Sequence, residues 1–139
     1  MKARNLNLSQ VKQLAQTMAQ NAKRSGLKIG LAGNLGSGKT TFAKAFAQSL
    51  GIKNLKSPTF IVSQRYPFGQ SYLYHLDFYR LNKPSELHPL GLSEILASKS
   101  IVLIEWVDKF PAISKVCDLI LEFKVKKNNT RDVTIKFNK

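Results

Sequence analysis

The period of apolar positions changes several times along the chain, and each change marks an element. Val11, Leu14, Ala15, Met18 and Ala22 recur at helical spacing, predicting a first helix from Ser9, its cap, to Arg24, with Gly26 just past its end. Leu27 to Ala32 (LKIGLA) reads as a short buried strand, and Gly33 to Gly38 as a tight loop whose glycines open backbone conformations closed to other residues. The helical period returns over Thr40 to Leu50, where Phe42, Ala43, Phe46, Ala47 and Leu50 share one side and Gly51 marks the stop. Thr59 to Tyr66 (TFIVSQRY) and Ser71 to Phe78 (SYLYHLDF) form a predicted hairpin broken at Pro67-Phe68-Gly69. Pro84 to Ala97 is helical in pattern but is divided into two short pieces by Pro89 and Gly91. Ile101 to Trp106 (IVLIEW) is a continuous aliphatic run, whereas Leu119 to Val125 and Arg131 to Phe137 flank KKNNT as a terminal antiparallel hairpin. The order predicts an α/β chain with a mixed central sheet flanked by helices.

Composition narrows this picture. A chain of 139 residues, 43% hydrophobic, suits one domain over residues 1–139, long enough to bury roughly 68–70% of its unfolded surface. The lone Cys117 excludes an internal disulfide or a Cys-based zinc cluster, and is expected as a buried thiol. MKARNLNLSQ carries charges with no apolar run behind them, so a cytoplasmic protein without a membrane partner is expected. The formal charge of +14 is strong enough to steer phosphate-rich partners, although lysine richness also describes an ordinary solvated surface.

The chemistry is concentrated in GNLGSGKTT, Gly33 to Thr41, which fits the phosphate-binding pattern G-x-x-x-x-G-K-[ST] between a predicted strand and a predicted helix. In that setting the backbone of Asn34, Leu35, Gly36, Ser37 and Gly38 surrounds a β-phosphate at a helix N-terminus. Lys39 reaches the β- and γ-phosphates of ATP, the Thr40 hydroxyl coordinates Mg²⁺, and Thr41 is placed at the α-phosphate. The bland reading is a glycine turn capping a helix. With the motif, the expected architecture becomes a P-loop NTPase-like domain carrying a C-terminal antiparallel hairpin.

Mg²⁺ and hydrolysis call for a carboxylate near the loop. Of the 8 acids, Glu86 and Glu94 fall on the broken helical segment, Glu122 and Asp132 on the terminal hairpin, and Asp118 before it. Asp77, Glu105 and Asp108 are left. Glu105 follows four aliphatics, the arrangement by which a buried strand delivers an acid toward magnesium or its water. Asp77 ends another strand, with His75 on its side if alternation holds, and His75 is read as a structural, hydrogen-bonded histidine. The tyrosines and phenylalanines are expected in the core rather than against bases.

Beyond the loop, SPTF at Ser57 to Phe60, HLDFYRL at His75 to Leu81, ELHPLGLSEI at Glu86 to Ile95 and IEW at Ile104 to Trp106 follow in order. The set resembles the TsaE family, the small bacterial P-loop ATPases of tRNA threonylcarbamoyladenosine biosynthesis, over nearly the whole chain. The resemblance implies that Thr59 senses the γ-phosphate, that Asp77 acts in catalysis or through the metal, and that Glu105 is the magnesium-associated acid. It also places Trp106 near the nucleotide, with Tyr79 and Arg80 completing the segment after Asp77. Arg65 departs from the family, which often carries an acid at that position. The implied partners are TsaD, which transfers the threonylcarbamoyl group, TsaB, its structural companion, and tRNA at least indirectly. Cycles of ATP binding and hydrolysis would drive or reset that assembly, and this chain would not perform the transfer itself.

Two other classes share parts of this pattern. A small-molecule kinase needs arginine clamps and a lid, yet the chain has five arginines and no lid insertion. A basic RNA-binding module would use nucleotide only structurally. A GTPase is disfavoured because Asn82-Lys83-Pro84-Ser85 carries a serine where guanine reading needs an acid.

Overall fold

A computed structural model describes residues 1–56 and 62–138 of the chain. Seven strands form one sheet: β1 (Lys2–Leu6), β2 (Lys28–Gly33), β3 (Ser63–Phe68), β4 (Ser71–Asp77), β5 (Ile101–Glu105), β6 (Leu119–Val125) and β7 (Arg131–Phe137), in the order β1-β7-β6-β2-β5-β4-β3. The central strands β4, β5, β2 and β6 run parallel, and antiparallel pairs close both edges. The expected mixed sheet with helices beside it is therefore the observed architecture, and β6 and β7 are the expected terminal hairpin.

Alternation along the parallel strands divides the core into two. Ile101 and Leu103 of β5 face one side with Ile29, Leu31, Leu119 and Leu121, under α1 (Leu8–Ala22) and α2 (Lys39–Ser49). Val102 and Ile104 face the other with Leu76, Phe78 and Ile120, under α3 (Leu92–Ala97), α4 (Pro111–Val116) and intervening 3₁₀ turns. Both faces are covered, which is why IVLIE shows no polar alternation. Gly30 lets β2 pack closely, since an added Cβ would stand 2.7 Å from Val107 Cγ1. Phe42, Phe46, Phe78, Phe110 and Phe123 sit in this core, as the edge-on pairs Phe42–Phe123 and Phe78–Phe110 illustrate. Tyr72, Tyr79 and Phe137, expected there too, are exposed because they lie at strand ends or in the loop after β4. Cys117 is buried, and burial pushes its thiol pKa up to about 12.

Several boundaries differ from the sequence reading. The first helix is capped by Asn7 rather than Ser9: the Asn7 side chain accepts from Gln10 N at 2.8 Å while Gln10 accepts from Asn7 N at 2.9 Å. This reciprocal pair outcompetes a serine two residues on. Helix α1 ends at Ala22, before Arg24. The N-terminal segment, to which the sequence pattern assigned no element, adds β1 to the exposed edge of β7. The turn expected at Pro67-Phe68-Gly69 lies at Gly69-Gln70, because β3 is an edge strand in which Pro67 needs to donate no ladder bond. Pro84 to Ala97 breaks into three pieces rather than two, the first two single 3₁₀ turns. Ser57–Phe60, including Thr59, lies outside the described residues. Among the described residues no helix is long and apolar enough to cross a membrane.

Candidate functional site

Parallel strands β2 and β5 end at the same edge, with Leu31 opposite Glu105, and the chain leaves β2 directly into the glycine loop. Gly33, Gly36 and Gly38 have φ of 141°, 74° and 111°, values that an L side chain rarely adopts. Helix α2 then starts at Lys39 without any side-chain cap, so its first amides are left for a ligand at the mouth of the sheet. A cavity of about 520 Å³ opens there, lined by Asn34 to Thr41 on its floor, Asp77, Tyr79, Arg80, Glu105 and Trp106 on one wall, and Leu8, Asn129 and Arg131 on the other.

Lys39 is 4% exposed. Its ammonium folds back over the loop, donating to the carbonyls of Gly33 and, at 3.3 Å, Asn34. It also lies 3.6 Å from the centre of the Trp106 ring. Burial lowers its pKa from the ordinary lysine value, opposed by the carboxylates of Glu105, Asp108 and Asp77. The cation is thus partly desolvated beside the loop, where it interacts more strongly with an arriving anion than it would in water.

Glu105 is buried at the end of β5. Its Oε1 accepts from the Thr40 hydroxyl at 3.1 Å, and its Oε2 is 2.6 Å from His75 Nε2. The Thr40–Glu105 pair joins the two oxygen donors expected around Mg²⁺. His75, expected as a structural, hydrogen-bonded histidine, holds that carboxylate from β4, across a sequence separation of 30 residues that carries no local signal. Asp77 lies beside Glu105 in the β4–β5 register. Its Oδ1 accepts from Tyr79 N at 2.9 Å. Burial raises its pKa above the usual carboxylate value, with the Glu105 charge adding to the effect and the Tyr79 amide opposing it.

Trp106 turns the chain out of β5 in the left-handed region, φ 60° and ψ 34°. For a bulky residue that conformation costs on the order of 1–3 kcal/mol, and such outliers concentrate at functional sites. The turn lays the indole between Lys39 and Tyr79, whose ring centre is 5.1 Å away. Arg65, on the far edge strand, lies over Tyr72 at 4.4 Å.

The donors present fit a magnesium nucleotide. Ser37 Oγ, in the loop, is buried with no hydrogen-bond partner. The loop amides, the uncapped helix end and Lys39 offer positive groups to phosphate, while Thr40 and Glu105 offer oxygen to a hard cation. Among the described residues no group of three or more His, Cys, Asp or Glu could hold a metal alone. Mg²⁺ characteristically relies on few protein ligands and completes its shell with water and phosphate. Asn34, Leu35, Gly36, Ser37, Gly38, Lys39, Thr40, Thr41, Asp77, Glu105 and Trp106 all line this one cavity. Leu8, Val62, Asn129 and Arg131 line it too, and the sequence reading missed them: they lie far in sequence from the glycine loop and reach it only through the tertiary fold.

The chain and its fold have known counterparts. A family model described as "Threonylcarbamoyl adenosine biosynthesis protein TsaE" matches residues 6–133. A tRNA threonylcarbamoyladenosine biosynthesis protein TsaE from Bacillus subtilis is 42% identical over 107 residues, 76% of this chain and 66% of that relative, so just under two thirds of its length is spanned. Its counterpart from Aquifex aeolicus is 38% identical over 125 residues, 88% of this chain and 85% of the relative. The crystal structure of YdiB from Bacillus subtilis superposes with a TM-score of 0.80 at 30% identity, covering 100% of this chain and 86% of that one.

Proposed function

The chain belongs to the TsaE family, and from that premise we propose that it is the ATPase of tRNA threonylcarbamoyladenosine biosynthesis. In this reading it binds and hydrolyses ATP to drive or reset the assembly that modifies the adenosine beside the anticodon. A TsaD-like transferase and a TsaB-like companion perform and support the transfer. The observation that carries the nucleotide reading is the position of Lys39. Its ammonium lies over the glycine loop, against Trp106, a few residues' reach from the Thr40–Glu105 pair.

The residues divide the work. Loop amides and the first turn of α2 bind the phosphates, and Lys39 exchanges its carbonyl partners for phosphate oxygens. Thr40 and Glu105 would hold Mg²⁺, which when bound would supply positive charge against the phosphate oxygens. His75 fixes the Glu105 carboxylate through Oε2, leaving Oε1 directed at Thr40. Asp77, with its pKa raised by burial, stands beside Glu105 as the group that orients the attacking water or takes its proton. Trp106 and Tyr79 shield the Lys39 side from solvent. Thr59 is assigned the γ-phosphate sensor, so that cleavage releases its segment and changes the docked state.

Reconstitution tests this reading: chain, TsaD-like and TsaB-like proteins, tRNA, ATP and threonylcarbamoyl donor are combined, with wild type compared against Lys39→Ala. Repeated rounds of modification with wild type and no more than a single round with Lys39→Ala are expected. Equal multiple turnover with both would overturn it.

A further inference from the structure

Charge is unevenly divided along the chain. Residues 1–76 hold 11 of the 22 lysines and arginines and none of the 8 acids, the first of which is Asp77. That stretch supplies α1, α2 and the connection after α2, the helical layer over one face of the sheet. The polar positions this layer turns to solvent are therefore amides, hydroxyls and ammoniums, among them Lys12, Gln16 and Gln20 on α1 and Lys44 and Gln48 on α2. A run of cations without interspersed acids marks a surface for a polyanion.

Where α2 ends, the layer is hollowed into a groove of about 430 Å³, lined by Lys44, Gln48, Lys53, Asn54, Leu55 and Lys56. Its wall is anchored. Ile52 N donates to Ala47 O at 2.9 Å, Ile52 and Leu55 are buried in the core, and Lys56 N donates to the Tyr66 hydroxyl at 3.1 Å. The three lysines are exposed, and among the described residues no ion pair involves any of them. Lys44 and Gln48 stand about 7–14 Å further along the axis of α2 than Lys39, at the helical rise of about 1.5 Å per residue. The groove shares no lining residue with the nucleotide cavity. Three ammoniums and two side-chain amides are the donors that grip phosphodiester oxygens. Protein–protein interfaces, by contrast, are poor in lysine and rich in aromatics, and none of the exposed large hydrophobic side chains lines this groove. With no aromatic to stack on, bases are left unread, so the contact is with backbone and independent of sequence.

We propose that the groove of Lys44, Lys53 and Lys56 is a docking surface for the phosphate backbone of RNA, separate from the nucleotide cavity. It deepens the tRNA-modification reading, on which the choice of RNA as the polyanion rests, by giving the chain a direct contact with the RNA that the assembly modifies. The three like charges repel one another in the free protein. RNA relieves that repulsion and releases its own condensed counterions, so binding is salt-dependent.

Fluorescence anisotropy of a labelled, unmodified tRNA transcript, titrated with the full chain over a series of salt concentrations, tests this. Wild type is compared with Lys44→Gln/Lys53→Gln/Lys56→Gln and with the matching triple arginine variant. A control, Lys99→Gln/Lys115→Gln/Lys124→Gln, loses the same charge from exposed positions away from the groove. Wild type is expected to bind with an affinity that falls as salt rises. The groove glutamine variant is expected to bind at least about tenfold more weakly, with a log–log salt slope shallower by about 2–3, since each lysine–phosphate contact contributes about 0.7–0.9. The arginine variant and the control are expected to stay within about threefold of wild type, because the first keeps the charge and the second keeps the groove. MgATP affinity is expected to be the same in all four proteins. No salt-dependent binding by wild type would overturn the proposal, as would an equal loss in the control, which would trace the effect to net charge alone. Unchanged RNA binding by the groove glutamine variant, with lost association to the TsaD-like and TsaB-like proteins, would make the groove a protein contact and overturn it too. A wild-type chain that binds the transcript but not MgATP defeats the P-loop reading and leaves the groove assignment standing.

Discussion

Replacing Glu105 with glutamine separates charge from shape at the centre of the site. The carboxylate is buried and makes two contacts, from Thr40 Oγ1 at 3.1 Å and with His75 Nε2 at 2.6 Å. Glutamine has nearly the same volume and can bond at both positions, because a hydroxyl rotates and His75 can present either tautomer. Bonds to charged groups contribute about 1.5–3 kcal/mol against about 0.5–1.5 kcal/mol for neutral ones, so weakening two of them costs about 2–3 kcal/mol before the relief of burying no charge is counted. The fold should survive. Catalysis should not: the proposed Mg²⁺ would lose its anionic ligand, and Lys39 loses the carboxylate that most opposes the effect of its burial. A fall of at least about tenfold in phosphate release at saturating ATP is expected, equivalent to about 1.4 kcal/mol of transition-state stabilisation. The assay is release of inorganic phosphate in the reconstituted assembly, with circular dichroism confirming a cooperative melt. A folded Glu105→Gln protein releasing phosphate within about twofold of the wild-type rate would refute the assignment of Glu105.

Other perturbations address neighbouring claims. Asp77 has a pKa raised by burial, so its protonated form favours the fold; that contribution is present in the ordinary carboxylate range and lost as pH rises through the elevated value. Asp77→Asn should therefore unfold at a higher temperature than wild type at neutral pH, converge with it on acidification, and lose activity; a variant less stable at neutral pH would contradict this. The Lys39 ammonium rests on the Trp106 face and must leave it to reach phosphate, so indole fluorescence should change on adding ATP or ADP, and an unchanged spectrum despite calorimetric binding would count against the placement. Gly30→Ala drives a Cβ to 2.6 Å from Ile120 Cδ1 and 2.7 Å from Val107 Cγ1. The isoleucine tip can swing but the stiff valine cannot, so a loss of about 1–3 kcal/mol is expected by urea unfolding, and a loss below about 0.5 kcal/mol would show that the core yields there.

The order of elements was readable because each carries its own local signal. IVLIE is unbroken because both sheet faces are covered, and the phosphate loop announces itself through glycines that the backbone needs at positive φ. Glu105 was legible for the same reason, an acid terminating an otherwise apolar strand. What was missed depends on partners distant in sequence. KARNL has no periodicity of its own and becomes a strand only because β7 offers an open edge. Pro67 punctuates the sequence like a turn, yet an edge strand tolerates it. Ser9 is a good cap by type, but Asn7 and Gln10 cap each other reciprocally.

The same distinction applies within the site. Lys39, Thr40 and the loop belong to one contiguous motif, whereas the contact of His75 with Glu105 spans 30 residues. Arg131 looked like the first residue of a hairpin strand. Only the antiparallel return of β7 brings it beside Gly38.

The central claim is that nucleotide is gripped by the glycine loop and Lys39. Isothermal titration of MgATP into wild type and into a folded Lys39→Ala chain tests it most directly. Saturable binding by wild type, weakened at least about tenfold in the variant, is the expected result. Equal affinity for both proteins would contradict it.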